Sequence, residues 1–240
     1  MILVVVPTYN ERENLPRMVD ALLRLDRINV LVVDDGSPDG TGADADRLAA
    51  ASGGRLRVLH RTGQRGLGRS YIDGFQHALR MGATRICQMD ADFSHDPNDV
   101  PRLLDATDTA DLAIGSRYVP GGQLRNWPRH RLLLSTFANR YVRAITGVPV
   151  RDCTSGFRCW RAELLARLPL PDIVSEGYAF QVEMAWHASV AHARIVEVPI
   201  TFVERVQGTS KLSGRVILES ALLPWRLRHN RIANDKSGTA

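Results

Sequence analysis

The feature that most constrains the fold is a regular alternation of short apolar runs with helical patterns through the first half of the chain. The runs are rich in Val, Ile and Leu, as in strands that are buried on both faces, and cover residues 2–6, 30–33, 56–59, 86–89 and 112–114. Helical patterns lie between them, over residues 10–25, 41–51, 69–81 and 98–105. This order predicts an α/β fold with a mostly parallel, doubly wound sheet, whose ligands bind outside the carboxyl ends of the strands.

The first predicted helix follows the first strand directly. Asn10 is predicted to cap it, with Glu11 and Glu13 in its first turn. Pro16 comes early enough in this helix to be tolerated.

The second half of the chain adds amphipathic helices. Residues 129–145 and 178–190 are predicted helices, and residues 194–199 are predicted to form an edge strand. A polar loop is predicted over 206–214, followed by a helix over 215–223 that Pro224 ends or kinks. Residues 129–145 and 216–227 carry apolar faces beside basic residues, which fit either packing in a core or docking at a membrane interface.

Polar clusters follow four of the predicted strands, and one of them holds two carboxylates at a spacing of two residues. These clusters are Pro7-Thr8-Tyr9-Asn10-Glu11, Asp34-Asp35-Gly36-Ser37, Asp90-Ala91-Asp92 and Gly115-Ser116-Arg117-Tyr118. Asp90 and Asp92 are two residues apart, so at a strand end they face the same way and form a hard oxygen site for Mg²⁺ or Mn²⁺ on a diphosphate. An Asp-x-Asp pair alone also occurs in turns and helix caps. Four clusters at one sheet edge favour a metal–nucleotide site.

Composition excludes several classes of protein. No apolar run approaches the roughly 18–20 residues that span a bilayer, and the first residues lack the basic region of a secretory signal peptide. The three cysteines have no paired spacing, which indicates reduced thiols in a cytosolic protein. The net charge of +5 suits anionic ligands or an anionic membrane face, and no interleaving of aromatic and basic residues favours nucleic acid as a partner.

The strand-end motifs resemble those of family 2 glycosyltransferases with the GT-A fold. That resemblance rests on residues 5–11, on Val32-Val33-Asp34-Asp35-Gly36-Ser37-Pro38-Asp39-Gly40-Thr41 and on Asp90-Ala91-Asp92. Further motifs are similar to dolichol/polyprenol phosphate mannose synthases, namely Gly66-Leu67-Gly68-Arg69-Ser70-Tyr71-Ile72, Gly115-Ser116-Arg117-Tyr118-Val119-Pro120-Gly121-Gly122, Asp152-Cys153-Thr154-Ser155-Gly156-Phe157-Arg158, Gly177-Tyr178-Ala179-Phe180-Gln181 and Glu197-Val198-Pro199-Ile200-Thr201-Phe202. The chain resembles the short form, which lacks C-terminal membrane helices.

This resemblance implies a division of the chain into three parts. A GT-A (Rossmann-like) catalytic domain is expected over residues 1–215, with a mostly parallel sheet and flanking helices. An amphipathic, membrane-interfacial helix is expected over 216–233, and a disordered tail over 234–240.

The resemblance also implies a sugar-nucleotide site with a divalent metal ion. That site would be formed by Pro7, Tyr9, Glu11, Asp34, Asp35, Asp90, Asp92 and Arg117. Asp90 and Asp92 would bind Mg²⁺ or Mn²⁺, with Ser94 as a direct or water-mediated third ligand, and Asp92 and Arg117 would act in catalysis. His95 is expected to be a loop residue. An acidic helix N-terminus and an Asx turn before Gly36 remain alternatives for the first five residues.

The resemblance, which extends from Arg205 through Gly208 to Lys211-Leu212, also implies an acceptor site for a lipid phosphate. Arg131, Ser135, Arg205 and Lys211 would bind the acceptor phosphate, together with Arg117. Any one of these cations could instead be a solvated surface charge, because the chain has 31 Lys and Arg residues. A phosphate monoester, with a second pKa near roughly 6, is already ionised at neutral pH and needs no general base.

The implied activity is transfer of mannose from GDP-mannose to a polyprenyl (dolichyl-type) phosphate with inversion, at the cytosolic face of a membrane. The sequence leaves open whether a separate membrane subunit anchors the chain. One alternative is transfer of glucose or another sugar to the same kind of acceptor. A second is transfer to a hydroxyl, for which Glu176 or Glu183 would be the candidate base. A third is a non-catalytic sugar-nucleotide sensor, which the paired carboxylates and retained cations disfavour.

Overall fold

The computed structural model of this chain describes residues 1–204 and 221–229, in which strands and helices alternate. The strands are β1 (Ile2–Thr8), β2 (Ile28–Asp34), β3 (Leu56–His60), β4 (Arg85–Gln88), β5 (Leu112–Ser116), β6 (Gln123–Arg125), β7 (Arg158–Arg161), β8 (Ile195–Pro199) and β9 (Thr201–Val203). The α-helices are α1 (Leu15–Leu23), α2 (Thr41–Ala51), α3 (Leu67–Arg80), α4 (Val100–Ala106), α5 (Arg129–Thr146), α6 (Ala162–Leu165) and α7 (Gly177–Val190). Residues 221–229 are also helical, and Pro97–Asp99 and Leu170–Asp172 are short 3₁₀ turns.

A seven-stranded sheet in the order β3-β2-β1-β4-β7-β5-β8 forms the centre of the fold. Its pairs are parallel except where β7 runs antiparallel between β4 and β5. The strands β6 and β9 form a separate parallel pair. The prediction of a mostly parallel α/β sheet is confirmed, and the carboxyl ends of β1, β2, β4 and β5 meet at one edge.

Helices cover both faces of the sheet. Alternate residues of the central strands point to opposite sides, so each strand contributes side chains to two buried clusters. Val5 of β1 belongs to one buried apolar cluster, with Phe75 of α3 and Phe180 of α7. Val4 of the same strand belongs to the other, with Met18 of α1. This doubly covered arrangement explains why the strand sequences are apolar throughout.

The sequence analysis missed one strand of the sheet and was wrong about the burial of another. The strand β7 was not predicted, because its four residues Arg158-Cys159-Trp160-Arg161 begin and end with arginine. Arg158 is nevertheless fully buried, and it donates from Nε to the Ser155 carbonyl at 2.9 Å. The strand β3 is not buried on both faces, since it is an edge strand of the sheet and His60 at its end is exposed.

The start of the first helix also differs from the prediction. Asn10 has a φ of 61° and does not cap α1, which begins at Leu15 after Asn14. Glu11 precedes the helix and donates its backbone N–H to the Thr41 hydroxyl at 3.0 Å, so the loop is held against α2 instead of continuing α1. The tolerated proline is confirmed, as Pro16 lies in the first turn.

The helix α5 has an exposed apolar face. Leu133, Leu134 and Phe137 are 71%, 62% and 66% exposed. Further along α5, the Tyr141 hydroxyl accepts from Trp225 Nε1 at 2.9 Å, which joins α5 to the 221–229 helix. Of the described helices, none is both long and apolar enough to cross a membrane. The predicted loop over 206–214, the tail over 234–240 and residues 216–220 and 230–233 of the predicted helix over 216–233 lie outside the described residues.

Candidate functional site

Two carboxylates lie directly beyond the carboxyl end of β4, as the sequence predicts. Asp90 Oδ1 accepts a hydrogen bond from the Tyr71 hydroxyl at 2.7 Å. Asp92 Oδ1 accepts from the backbone N–H of Ser94 at 3.0 Å, which closes a tight turn. Both aspartates are partly exposed at the edge of the sheet where ligands bind in this kind of fold.

Tyr71 is a fully buried residue of α3. Its ring stacks with the rings of Phe75 and Phe180, with centroid separations of 5.8 and 5.9 Å. Burial, followed by the charge of Asp90, raises the pKa of Tyr71 well above its usual range. The phenol is therefore protonated and acts as a donor to Asp90.

A buried amide network holds the chain close to Asp90 on another side. Gln88 Nε2 donates to Gln181 Oε1 at 2.9 Å and to the Gly156 carbonyl at 3.1 Å, while Trp160 Nε1 donates to Gln88 Oε1 at 3.0 Å. A Cβ at position 156 would lie 3.3 Å from Asp90 Oδ2, so a larger residue would crowd the carboxylate. The glycine leaves space beside Asp90.

The donor set at the end of β4 fits a hard divalent cation. Asp90 and Asp92 supply carboxylate oxygens two residues apart, and no group of three His, Cys, Asp or Glu side chains suited to a metal occurs among residues 1–204 and 221–229. Mg²⁺ characteristically takes one or two carboxylates and completes its shell with water and substrate phosphates. Ser94 is buried beside Asp92, and its role as a third ligand stays a prediction.

His95 is a buried loop residue. Its ring packs against Phe157 and Phe202, each at a centroid distance of 5.2 Å. Burial lowers the pKa of His95 to about 4, so the imidazole is neutral.

The predicted nucleotide side contains an exposed tyrosine with a cation stacked on it. Tyr9 follows the buried Pro7 and is 36% exposed. The Arg65 guanidinium lies 4.8 Å from the centre of the Tyr9 ring and donates to its hydroxyl at 2.9 Å. Arg65 also donates to the Gly36 carbonyl at 3.3 Å, which links the loops that follow β1 and β2.

The two aspartates after β2 both orient loops. Asp34 accepts from the Ser37 hydroxyl at 2.5 Å and from its backbone N–H at 3.3 Å, as in an Asx turn. Asp35 pairs with the buried Arg61 and accepts from the Gly66 N–H at 2.8 Å. That second contact places the start of α3 beside the loop after β2. A role of Asp34 and Asp35 in binding the sugar nucleotide stays a prediction.

Arg117 follows β5 and forms a buried ion pair with Asp152. Nε lies 2.7 Å from Oδ2 and Nη2 lies 2.6 Å from Oδ1, and Nη2 also donates to the Thr154 hydroxyl at 2.7 Å. Burial alone would raise the pKa of Asp152, but the charge and the hydrogen bonds of Arg117 together outweigh burial and lower that pKa. Burial alone would lower the pKa of Arg117, but the charge and the hydrogen bonds of Asp152 contribute to a net increase.

Two of the predicted acceptor cations share one aromatic surface. The guanidinium carbons of Arg117 and Arg131 lie 5.7 and 5.2 Å from the centre of the Trp127 ring. Arg131 also forms an ion pair with Glu204, and both side chains are partly exposed. The structure therefore brings Arg117 and Arg131 together, although 14 residues separate them in the sequence.

The predicted hydrogen-bond donor on α5 lies in the same region. The Ser135 hydroxyl accepts from the Tyr118 hydroxyl at 2.7 Å, and the Arg117 guanidinium lies 5.5 Å from the centre of the Tyr118 ring. Arg205 and Lys211, the other two predicted acceptor cations, lie outside the described residues.

The two glutamates considered as a general base have structural contacts. Glu176 Oε2 accepts from the Gly68 N–H at 2.8 Å at the start of α3, and Arg69 lies 3.5 Å from its other oxygen. Glu183 hydrogen-bonds Ser175. Burial raises the pKa of both carboxyl groups.

Several residues of the site were not predicted individually. Tyr71 and Asp152 lie within motifs that carry the resemblance, and that was the available signal for them. Arg61 and Trp127 lie outside those motifs, and their contacts depend on chain segments distant in sequence.

Comparison with known proteins gives one family and several close relatives. The model of glycosyl transferase family 2 matches residues 3–168. The chain is 51% identical over 230 residues to a polyprenol monophosphomannose synthase of Mycolicibacterium smegmatis, covering 94% of this chain and 87% of the relative. It is 48% identical over 225 residues to an undecaprenyl-phosphate mannosyltransferase of Micrococcus luteus, covering 92% and 91%. A dolichol-phosphate mannosyltransferase of Pyrococcus furiosus is 38% identical over 230 residues, which are 93% of this chain and 62% of that one.

A solved structure shares the fold at low sequence identity. Glucosyl-3-phosphoglycerate synthase from Mycobacterium tuberculosis, in complex with Mn²⁺, UDP and phosphoglyceric acid, superposes with a TM-score of 0.67 at 20% identity. The match covers 93% of this chain and 78% of that one.

Proposed function

Because this chain belongs to glycosyl transferase family 2, we propose that it transfers mannose from GDP-mannose to a polyprenyl (dolichyl-type) phosphate. The products are polyprenyl phosphate β-mannose and GDP, with inversion at the anomeric carbon. The observation that carries the proposal is the 51% identity, over 94% of the chain, to a polyprenol monophosphomannose synthase. The geometry supports it as well, because the Asp90 and Asp92 carboxylates suit a metal ion and the guanidinium groups of Arg117 and Arg131 suit a phosphate.

The donor would bind at the carboxyl ends of β1, β2 and β4. Asp90 and Asp92 would hold the metal ion, with Ser94 beside them, and Tyr9 and Glu11 would contact the nucleoside. A bound Mg²⁺ or Mn²⁺ neutralises charge that develops on the leaving nucleoside diphosphate. The likeness to an enzyme crystallised with Mn²⁺ and UDP supports a divalent ion in this fold.

The acceptor phosphate would bind on the α5 side of the site. An ionised phosphate monoester is already a nucleophile, so the chemical difficulty is its repulsion from the donor diphosphate. The guanidinium groups of Arg117 and Arg131 around Trp127 offer donors for phosphate oxygens. Ser135 would add a hydroxyl, and Arg205 and Lys211 would add two more charges. No general base is required for this reaction, which agrees with the structural contacts of Glu176 and Glu183.

A membrane surface would present the lipid acceptor. Leu133, Leu134 and Phe137 form an exposed apolar face on the helix that carries Arg131 and Ser135. Arg140 and Arg143 are exposed on the same helix. Apolar side chains beside cations suit the boundary between acyl chains and anionic headgroups, so the protein would be peripheral on the cytosolic leaflet, alone or with a separate anchoring subunit.

A panel of sugar nucleotides tests the donor. The protein is incubated with polyprenyl phosphate and labelled GDP-mannose or UDP-glucose, with Mg²⁺ or Mn²⁺ or with EDTA. Label is expected to enter the lipid fraction from GDP-mannose only, and only with the metal ion. Transfer from UDP-glucose but not GDP-mannose would show that the enzyme is a glucosyltransferase.

A further inference from the structure

We propose that Tyr71 is a positioning residue for the metal ion, because its phenol fixes the orientation of the Asp90 carboxylate. This inference rests on the proposed function, since it takes Asp90 as a metal ligand. Tyr71 itself would touch neither the metal ion nor the substrate.

The contact between the two residues is short and rigidly supported. The Tyr71 hydroxyl lies 2.7 Å from Asp90 Oδ1, and Tyr71 has no solvent exposure. Its ring is stacked on Phe180 with an interplanar angle of 1° and on Phe75 with an angle of 27°. A fully buried ring that stacks with two others is held in place by close packing, so its hydroxyl is a fixed donor.

The helix that carries Tyr71 is fixed at the same edge of the sheet. The N–H of Gly66, directly before α3, donates to Asp35 at 2.8 Å, and the N–H of Gly68 donates to Glu176 at 2.8 Å. One turn further along α3, Tyr71 reaches Asp90. Movement of α3 against the loops of the donor site would therefore move the donor of this hydrogen bond.

Fixing a carboxylate in advance favours metal binding. An Asp side chain that rotates freely must lose that freedom when it binds a cation, whereas a hydrogen-bonded carboxylate has already lost it. Loss of an outer hydrogen-bond partner of a metal ligand typically weakens metal binding by about 10- to 100-fold. A purely structural role for Tyr71 predicts a loss of stability with no change in metal affinity.

Tyr71→Phe is the variant that separates these roles, because it keeps the ring stack and removes only the hydroxyl. Tyr141→Phe is the matched control, since it removes a tyrosine hydroxyl that accepts from Trp225 and donates to the Ala221 carbonyl away from the carboxylates. Asp90→Asn tests the ligand itself. Mn²⁺ affinity is measured by electron paramagnetic resonance, with and without GDP, and GDP affinity is measured in EDTA.

The expected result for Tyr71→Phe is an increase of about tenfold in the Kd for Mn²⁺, with an unchanged Kd for GDP in EDTA. Tyr141→Phe should bind Mn²⁺ as the wild type does, and Asp90→Asn should lose most of its affinity. An unchanged Mn²⁺ affinity in Tyr71→Phe, with affinity lost in Asp90→Asn, would overturn the positioning role and leave the metal site standing. Unchanged affinity in Asp90→Asn, or no Mn²⁺ binding by the wild type, would overturn the metal site and this inference together.

Discussion

The Arg117 guanidinium and the Asp152 carboxylate meet edge to edge in the interior, with separations of 2.6 and 2.7 Å. This pair joins the end of β5 to the segment that leads into β7. Its geometry also orients Arg117 toward Trp127, the ring that Arg131 shares. A buried ion pair therefore links the stability of the sheet edge to the shape of the proposed acceptor site.

Asp152→Ala is expected to lower the free energy of unfolding by about 3–5 kcal/mol, because it leaves Arg117 buried without its counter-charge. Urea denaturation measures the change. Asp20→Ala is the control, since it removes an exposed ion pair with Arg24 and should cost less than about 1 kcal/mol. Equal losses in the two variants would contradict the account of the Arg117–Asp152 pair.

The same pair predicts an acid dependence of stability. The pKa of Asp152 is lower in the folded protein than its ordinary value of 3.8, so the folded state binds fewer protons at this site than the unfolded state. The stabilisation that ionised Asp152 gives to the folded state is therefore complete above the ordinary pKa of an aspartate. It is lost as the pH falls through the lower pKa of the folded protein. The wild type should lose more stability than Asp152→Ala on acidification below about pH 4. Parallel curves for the two proteins would count against this prediction.

Asp92→Ala is expected to reduce turnover by about a hundredfold or more, because it removes a ligand of the metal ion that neutralises the leaving group. The fold should stay intact. Initial rates with GDP-mannose and the far-ultraviolet circular dichroism spectrum measure the two effects. Asp96→Ala is the control, as Asp96 is exposed and caps only the 3₁₀ turn Pro97–Asp99. Full activity in Asp92→Ala would remove Asp92 from the metal site.

Arg131→Ala is expected to raise the KM for polyprenyl phosphate by about tenfold to a hundredfold, which corresponds to one hydrogen bond to a charged group, without changing the KM for GDP-mannose. Glu204→Gln should lower the acceptor KM by about two- to fivefold, because the glutamate competes with the phosphate for Arg131. Kinetics in detergent measure both constants. Arg102→Ala, which breaks the exposed pair with Asp99, should change neither. An unchanged acceptor KM in Arg131→Ala would exclude Arg131 from the acceptor site.

Phe137→Asp is expected to weaken binding to vesicles that contain anionic lipid by about tenfold or more, because Phe137 would no longer enter the bilayer surface. Arg140→Glu should also weaken this binding, through lost attraction to the headgroups. Co-sedimentation with vesicles measures both. Arg24→Glu, a change at an exposed position directly after α1, is the control for net charge. Vesicle binding that is insensitive to Phe137→Asp would contradict docking through α5.

The sheet and the positions of the strand-end residues could be predicted, because strands buried on both faces must be apolar throughout. That rule identifies β1 and places Asp90 and Asp92 at the carboxyl end of β4. It does not identify β7, whose Arg158 is tolerated inside because it donates to the carbonyls of Ser155 and Cys153, just before the strand. The exposed face of α5 was one of two alternatives, and only the structure shows that Leu133 and Phe137 are not in the core.

The partners of the site residues could not be predicted, because they come from segments far apart in the chain. Arg117 and Asp152 are 35 residues apart, and Tyr71 and Asp90 are 19 residues apart. No spacing rule relates such pairs. The contact of Arg117 with Asp152 follows from the order of strands, in which β7 lies beside β5. The contact of Tyr71 with Asp90 follows from the packing of α3 against the sheet.

A comparison of polyprenyl phosphate with the corresponding polyprenol, at saturating GDP-mannose and Mg²⁺, tests the central claim most directly. If the acceptor is an already ionised phosphate that needs no general base, mannose should be transferred to polyprenyl phosphate and not to polyprenol. Mannosylation of polyprenol at a comparable rate would contradict the account, because a hydroxyl acceptor requires a general base that the proposed site does not supply.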